Sequence, residues 1–396
     1  MKRINKVRSV YSSPVALVFS VILLMIFMSC HGPAGEKQNK KYTFYVGTYT
    51  DGASEGIYQY TLHDDGKLEK MALAAPSNNP SYLAISHDNR YLLAVNEIDQ
   101  SGQGQVESYR IHKDTLERLS AMNSGGAHPC FIQVDERGYV LTANYSGGNI
   151  ALLRTGRDGR LTELIDVARH SGKGTTARQE APHAHSAWFA PSSDKIVAAD
   201  LGTNEIWFYT LDTVHHQLRP DHPERLAMEE GAGPRHLTFH PNDKWMYVIN
   251  ELNSTVTLVE ISQKGQYQKV QSASTLPSDF NGSNKCADIH VSSDGRFVYA
   301  SNRGHNSIAV FQVDEQDGSL RSLGYQSVRG QWPRNFALSP DEKYLLVANR
   351  HTNNIVCFER NTSTGRLKYV GESDVPEPVC IMFKRYPRVQ PEKNNL

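Results

Sequence analysis

An excess of either charge is missing from this chain: 42 lysines and arginines face 42 aspartates and glutamates. No basic stripe invites nucleic acid, and no acidic tail suggests a disordered partner-binding arm. Cysteine is scarce, with five residues in all. Cys130, Cys286, Cys357 and Cys380 lie in different repeats, with no Cys-x-x-Cys pair and no metal-ligand spacing. Each sits in or beside an apolar strand, so small buried thiols are expected. The absence of a Gly-x-Ser-x-Gly elbow argues against a serine hydrolase of the α/β type. Ser171-Gly172-Lys173-Gly174 has too few glycines in register for a phosphate loop. The apolar run at residues 15–28 is shorter than the ~20 residues that cross a bilayer.

That run has a different reading. Lys2, Arg3, Lys6 and Arg8 precede it and Ser29-Cys30 closes it, the layout of a lipoprotein signal in which Cys30 becomes the lipidated residue. Phe27 stands where leucine is usual. The expected organisation is a signal over 1–30, a polar tether over 31–41, one folded unit over 42–386 and a tail over 387–396. The folded part is then expected in the cell envelope, touching membrane only through the lipid.

What the folded part does have is a repeat. Six segments share one template: Pro, a short apolar strand, a Ser/Pro-Asp/Gly turn, a second strand ending near Asn, then a third strand. The opening position recurs at Pro80, Pro129, Ala184, Pro234, Cys286, Pro333 and Pro378, and the strand-ending position at Asn96, Asn144, Asp200, Asn250, Asn302 and Asn349. A period near fifty residues (~50) with several short strands per unit predicts an all-β fold, a seven-bladed β-propeller. A first strand stands alone at 378–383, and a second and third without a first at 43–48 and 57–62. Joining them closes the ring by pairing N- and C-terminal strands in one blade, which removes open edges.

In such a ring, first-strand beginnings and second-strand ends emerge together around the channel mouth. The first set comprises His128, His183, His185, Arg235, His236, Asp288, His290, Arg334 and Asn335; the second comprises Tyr49, Glu97, Tyr145, Glu251, Arg303 and Arg350. The recurring Asn holds a turn. Its neighbours vary among Glu, Arg and Tyr, which turn geometry does not require. Acids, imidazoles and guanidiniums converging on one concavity suit an anion-binding hydrolytic pocket. His183 and His185 lie two apart, yet Glu251 alone is a thin third ligand, so neither a metal nor a cofactor is expected. His112, His170, His215, His216, His222 and His351 read as surface residues of turns and outer strands, and His240 as structural.

Gly231-Ala232-Gly233-Pro234-Arg235-His236, Phe239-His240-Pro241-Asn242 and Asn250-Glu251-Leu252-Asn253-Ser254 together resemble the central motif of lactonase-type seven-bladed propellers. Ala287-Asp288-Ile289-His290 with Asp294-Gly295-Arg296, and Tyr45-Val46-Gly47-Thr48-Tyr49-Thr50, extend the likeness. That family includes 6-phosphogluconolactonases and a carboxymuconate cycloisomerase. The resemblance implies catalytic roles for Arg235 and Glu251, with His185 and Arg303 as companions. His183, His236, Asp288, His290, Arg334, Asn335 and Arg350 are then candidate substrate-binding residues. The expected partner is a small sugar lactone or related acid. An envelope address favours a lactone met outside the cytoplasm over 6-phosphogluconolactone. A lactonising isomerase and a non-enzymatic binding propeller are the alternative readings.

Overall fold

The computed structural model describes residues 40–386 apart from Ser192. The expectations for the signal, Cys30, most of the tether and the tail lie outside the described residues. Seven four-stranded antiparallel sheets account for every strand of the described unit. Blade 1 combines Pro378–Phe383 with Lys41–Thr48, Gly56–His63 and Leu68–Pro76. Blades 2 to 7 follow in chain order, their innermost strands being Leu83–Ile85, Pro129–Val134, Ala184–Phe189, Pro234–Phe239, Lys285–Val291 and Pro333–Leu338.

Position within a blade dictates residue pattern. The second strand is covered on both faces by neighbouring blades, so Tyr344–Asn349 and Trp245–Asn250 are buried at every residue and show no alternation. The outermost strands, such as Tyr267–Ser274, alternate because one face meets water. Between first and second strands a Ser-x-Asp turn recurs: Ser86, Ser292 and Ser339 each donate to the Asp two residues on, at 2.6–2.7 Å. The recurring Asn is structural. Asn96, Asn144, Asn302 and Asn349 each donate an amide hydrogen to a backbone carbonyl of the incoming connection.

Closure follows the expected pairing. The strand Pro378–Phe383 runs antiparallel to Lys41–Thr48, with Phe44 opposite Phe383 and Thr48 opposite Pro378. Phe44 and Tyr60 of blade 1 share one apolar cluster with Tyr344 and Leu346 of blade 7, so the seam is packed like any other blade interface. Below the channel mouth the axis is filled. Phe131 of blade 3 meets Tyr82 at 4.8 Å and Trp188 at 4.7 Å, and Tyr82 reaches His236 of blade 5 at 5.7 Å. The mouth is therefore a cup with an aromatic floor.

Two expectations need correction. The first strand of blade 2 begins at Leu83, well after Pro80, because Asn79 turns at φ 45° and its side chain accepts from Thr50 N. His170 is buried: its Nδ1 pairs with Asp200 at 2.7 Å and its ring stacks on Trp207 at 4.3 Å. Blade 4 carries Asp where five other blades carry Asn, and a carboxylate there recruits the imidazole. The four described cysteines are free and buried, and His240 bonds the Gly295 carbonyl, both as read.

Candidate active site

The innermost strands of blades 3 to 7 share a defect that aims side chains at the mouth. Pairing slips by one residue between Pro129 and Phe131, Ala184 and Ser186, Pro234 and His236, and Pro333 and Asn335. Blade 6 slips between Cys286 and Ile289. A bulge leaves its extra residue outside the ladder and redirects it. The extra residues are Cys130, His185, Arg235 and Arg334, with Ala287 and Asp288 in blade 6.

Three of them, Cys130, His185 and Arg334, line a cavity of about 210 Å³ together with Glu97, Tyr145, Arg178, Glu251, Lys285, Arg303 and Trp332. Larger hollows elsewhere, such as the one beside Arg296 and Asp314, lie between strand ends of the blades and gather no comparable set.

Glu251 is the hub. Its Oε2 meets Arg303 Nη2 at 2.7 Å and Arg235 Nε at 3.2 Å, and its Oε1 meets Arg178 Nη2 at 3.3 Å. Burial alone would raise its pKa, but the three guanidiniums outweigh it and hold the carboxyl near 2. Arg235 is 2% exposed and lies behind Glu251, donating to the Ala287 carbonyl. Arg303 is anchored on the carbonyls of Lys285 and Cys286 and packs 5.3 Å over Trp332.

His185 is the group most altered by its setting. Burial, and then Arg235, His236 and Arg334, push its pKa well below that of free imidazole, so the ring is uncharged at neutral pH. Cys130 Sγ lies 3.5 Å from its Nδ1, and burial pushes that thiol up, so it stays protonated. Tyr145 meets His185 edge-on at 5.6 Å.

On the opposite wall Glu97 accepts from Tyr49 at 2.8 Å and faces Arg334 at 3.5 Å. Arg350 packs on the Tyr49 ring at 4.3 Å, outside the cavity lining. His183 sits on the rim, stacked on Tyr145 at 4.4 Å, with Nδ1 against the Tyr145 carbonyl and Nε2 against Glu180. Among the described residues no group of three or more potential ligands is placed to hold a metal ion. His236, Asp288, His290 and Asn335 lie beneath the cavity. Asp288 Oδ1 accepts from His236 at 2.9 Å, and its Oδ2 accepts from Asn335 at 2.6 Å and His290 at 3.1 Å. Burial and Arg235 push His236 down to about 4 despite Asp288, whereas His290, where burial is outweighed by Asp288, is raised.

Residues 43–383 match the family model described as Lactonase, 7-bladed beta-propeller. The chain belongs to that lactonase family. It is 40% identical over 312 residues to a 6-phosphogluconolactonase of Bacillus subtilis, covering 76% of this chain and 86% of that protein. Its fold superposes on the periplasmic gluconolactonase of Pseudomonas aeruginosa with a TM-score of 0.83 at 31% identity, over 88% of this chain and all of that one. A Lactobacillus plantarum protein superposes at 0.82 with 34% identity, covering 87% and 100%.

Within this lactonase-family chain, sequence reasoning overlooked Arg178, Lys285 and the site position of Cys130. Lys285 directly precedes a repeat opening, and Cys130 occupies the same register as His185, Arg235 and Arg334; repeat alignment alone could have flagged both. Arg178 lies in the connection before blade 4, outside the repeat, and no periodic signal marks it.

Proposed function

We propose that this protein hydrolyses a sugar lactone at the channel mouth. The observation that carries the reading is a neutral buried imidazole, His185, lining one cavity with Arg303, Arg334 and the ionised Glu251. Opening a cyclic ester needs an activated water, positive charge for the oxyanion and a proton for the leaving alkoxide. Neutral His185 takes the proton from water as hydroxide attacks the carbonyl, a contribution of roughly 10²- to 10⁴-fold. The tetrahedral oxyanion is met by Arg303 and Arg334, whose donors are already in place in a dry site. Protonated His185 then returns its proton to the ring oxygen as the C–O bond breaks, giving the open acid. Glu251, with its pKa near 2 and its oxygens engaged by arginines, is a poor proton acceptor. It holds Arg303 and Arg178, and Arg235 adds positive potential from below. His183, His236, Asp288, His290, Asn335 and Arg350 are proposed to shape and orient the binding surface around these groups.

The test is turnover of δ-gluconolactone and 6-phosphogluconolactone by purified protein, followed as acid release above the spontaneous rate. His185→Gln should lose at least ~10²-fold. Turnover no faster than background with every aldonolactone offered would refute the reading.

We also propose export with lipidation at Cys30. Cys30→Ala should abolish incorporation of labelled fatty acid and release the protein from membranes. Unchanged labelling would exclude that anchor.

A further inference from the structure

The connection from His170 to His183 is longer than the repeat requires and is built around its own anchors. At the stem, Asp200 ties both ends. Its Oδ2 pairs with His170 Nδ1 at 2.7 Å, and its Oδ1 accepts His183 N at 2.8 Å and Thr203 N at 2.8 Å. At the tip, the wholly buried Gln179 plugs the loop onto blade 4. Its Nε2 donates to the Leu201 carbonyl at 2.9 Å and to Asn204 Oδ1 at 3.0 Å, and its Oε1 accepts from Thr176 N at 3.3 Å. Gly174 N adds a bond to the Gly202 carbonyl at 2.8 Å.

This framework delivers one charged side chain to the cavity. Arg178, next to the plug, spends Nη2 on Tyr145 Oη at 2.9 Å and on Glu251 at 3.3 Å. Its Nε and Nη1 have no partner among the described residues, and the side chain is 42% exposed. A forked guanidinium with unused donors at a cavity rim suits a planar or tetrahedral oxyanion. Lys285, on the same cavity wall as Arg303, offers a second cation. Arg303 spends Nε and Nη2 on two carbonyls and Glu251, which leaves Nη1 for the oxyanion of the reacting carbonyl, and Arg235 is sealed beneath. The reacting carbonyl and a distal anion are therefore served by different cations.

We propose that residues 171–182 are a specificity loop in which Arg178 binds an anionic group at the far end of the lactone, a phosphate ester or a carboxylate, with Asp200 and Gln179 as positioning residues. The proposal rests on the lactone-hydrolysis reading. A binding measurement separates the two, because the acid products can be titrated whether or not turnover is seen.

The probes are 6-phosphogluconate, glucarate and gluconate, titrated by calorimetry against the full folded protein. The parent should bind one or both of the first two more tightly than gluconate, and which one identifies the anion. Arg178→Met should cut that preference about tenfold or more, the worth of a charge-assisted pair. Arg178→Lys should restore part of it. Asp200→Asn keeps the two backbone contacts and loses the imidazole, so it should reduce the preference at least ~3-fold without loss of secondary structure. Gln179→Ala should act in the same direction. With lactones, the change should appear in the ratio of KM values for anionic over neutral substrate, not in the ratio of kcat values. No preference in the parent, or a preference that survives Arg178→Met, overturns the proposal. Product preference lost with Arg178 but no lactone turned over would leave the loop assignment standing and sink the hydrolysis reading.

Discussion

Glu251 and His185 show how one cavity holds two acid–base groups in opposite conditions. Both are buried, yet Glu251 is kept ionised by Arg303, Arg235 and Arg178, while His185 is kept neutral by burial and by Arg235, His236 and Arg334. Glu251→Gln should leave Arg235 and Arg303 with no counter-charge and lower kcat/KM at least ~10²-fold, as should Arg235→Ala. Parent-level turnover in both would remove them from the site. The base must be unprotonated to act, and a depressed pKa keeps it so on acidification. The acid limb of kcat/KM should therefore fall well below pH 6.5, the ordinary imidazole value. A midpoint at or above that value would contradict the role given to His185. Stability follows the same sign. His236 titrates near 4 in the folded protein and 6.5 otherwise, and Glu251 near 2 against 4.5. In both windows the unfolded chain binds more protons, so stability present above each unfolded value is lost as pH falls through the folded one. Thermal midpoints should decline progressively from about pH 6.5 downward; a flat profile from pH 6.5 to 4 would count against the His236 assignment, and one from pH 4.5 to 2 against that of Glu251.

Among elements, the bulged first strand is the device that makes a site from a repeat. Strict alternation would return every second residue to the same face; one extra residue at the strand entrance turns Cys130, His185, Arg235 and Arg334 toward the axis. The connection before blade 4 depends on a close approach. A Cβ at Gly202 would stand 1.9 Å from the Ala181 carbonyl oxygen and 2.7 Å from His183 N. Gly202→Ala must therefore push the loop stem outward. It should cost about 1–3 kcal/mol in thermal unfolding and raise KM, measured by calorimetry and steady-state kinetics. An unchanged KM would mean that the loop stem does not help place the substrate.

For the whole ring, the final strand is the clasp. Val379, Cys380 and Ile381 are buried between blades, and the Ile381 amide donates to Asn335 Oδ1 of blade 7 at 2.7 Å. Ending the chain after Ser373 should uncover the edge of Lys41–Thr48 and lower the thermal midpoint by at least ~5 °C. Activity should fall with it, since Tyr49 follows that strand and supports Glu97 at the cavity wall. An unchanged midpoint would show that closure adds little.

The repeat, its period, the split blade and the two sets of polar positions at the mouth were all legible in the linear chain, because strand patterning and turn chemistry are local and recur six times. That same regularity exposed Glu251, Arg303 and Arg350 as departures at one structural position. The chain alone could not separate cavity from floor. His236, Asp288, His290 and Asn335 carry the same chemistry as the residues above them, and their depth depends on how the seven inner strands converge. Nor could it place Arg178 or bury His170, since both depend on contacts between segments far apart in the chain. Such contacts arise only when blades pack, and packing decided which charges meet the substrate and which hold one another.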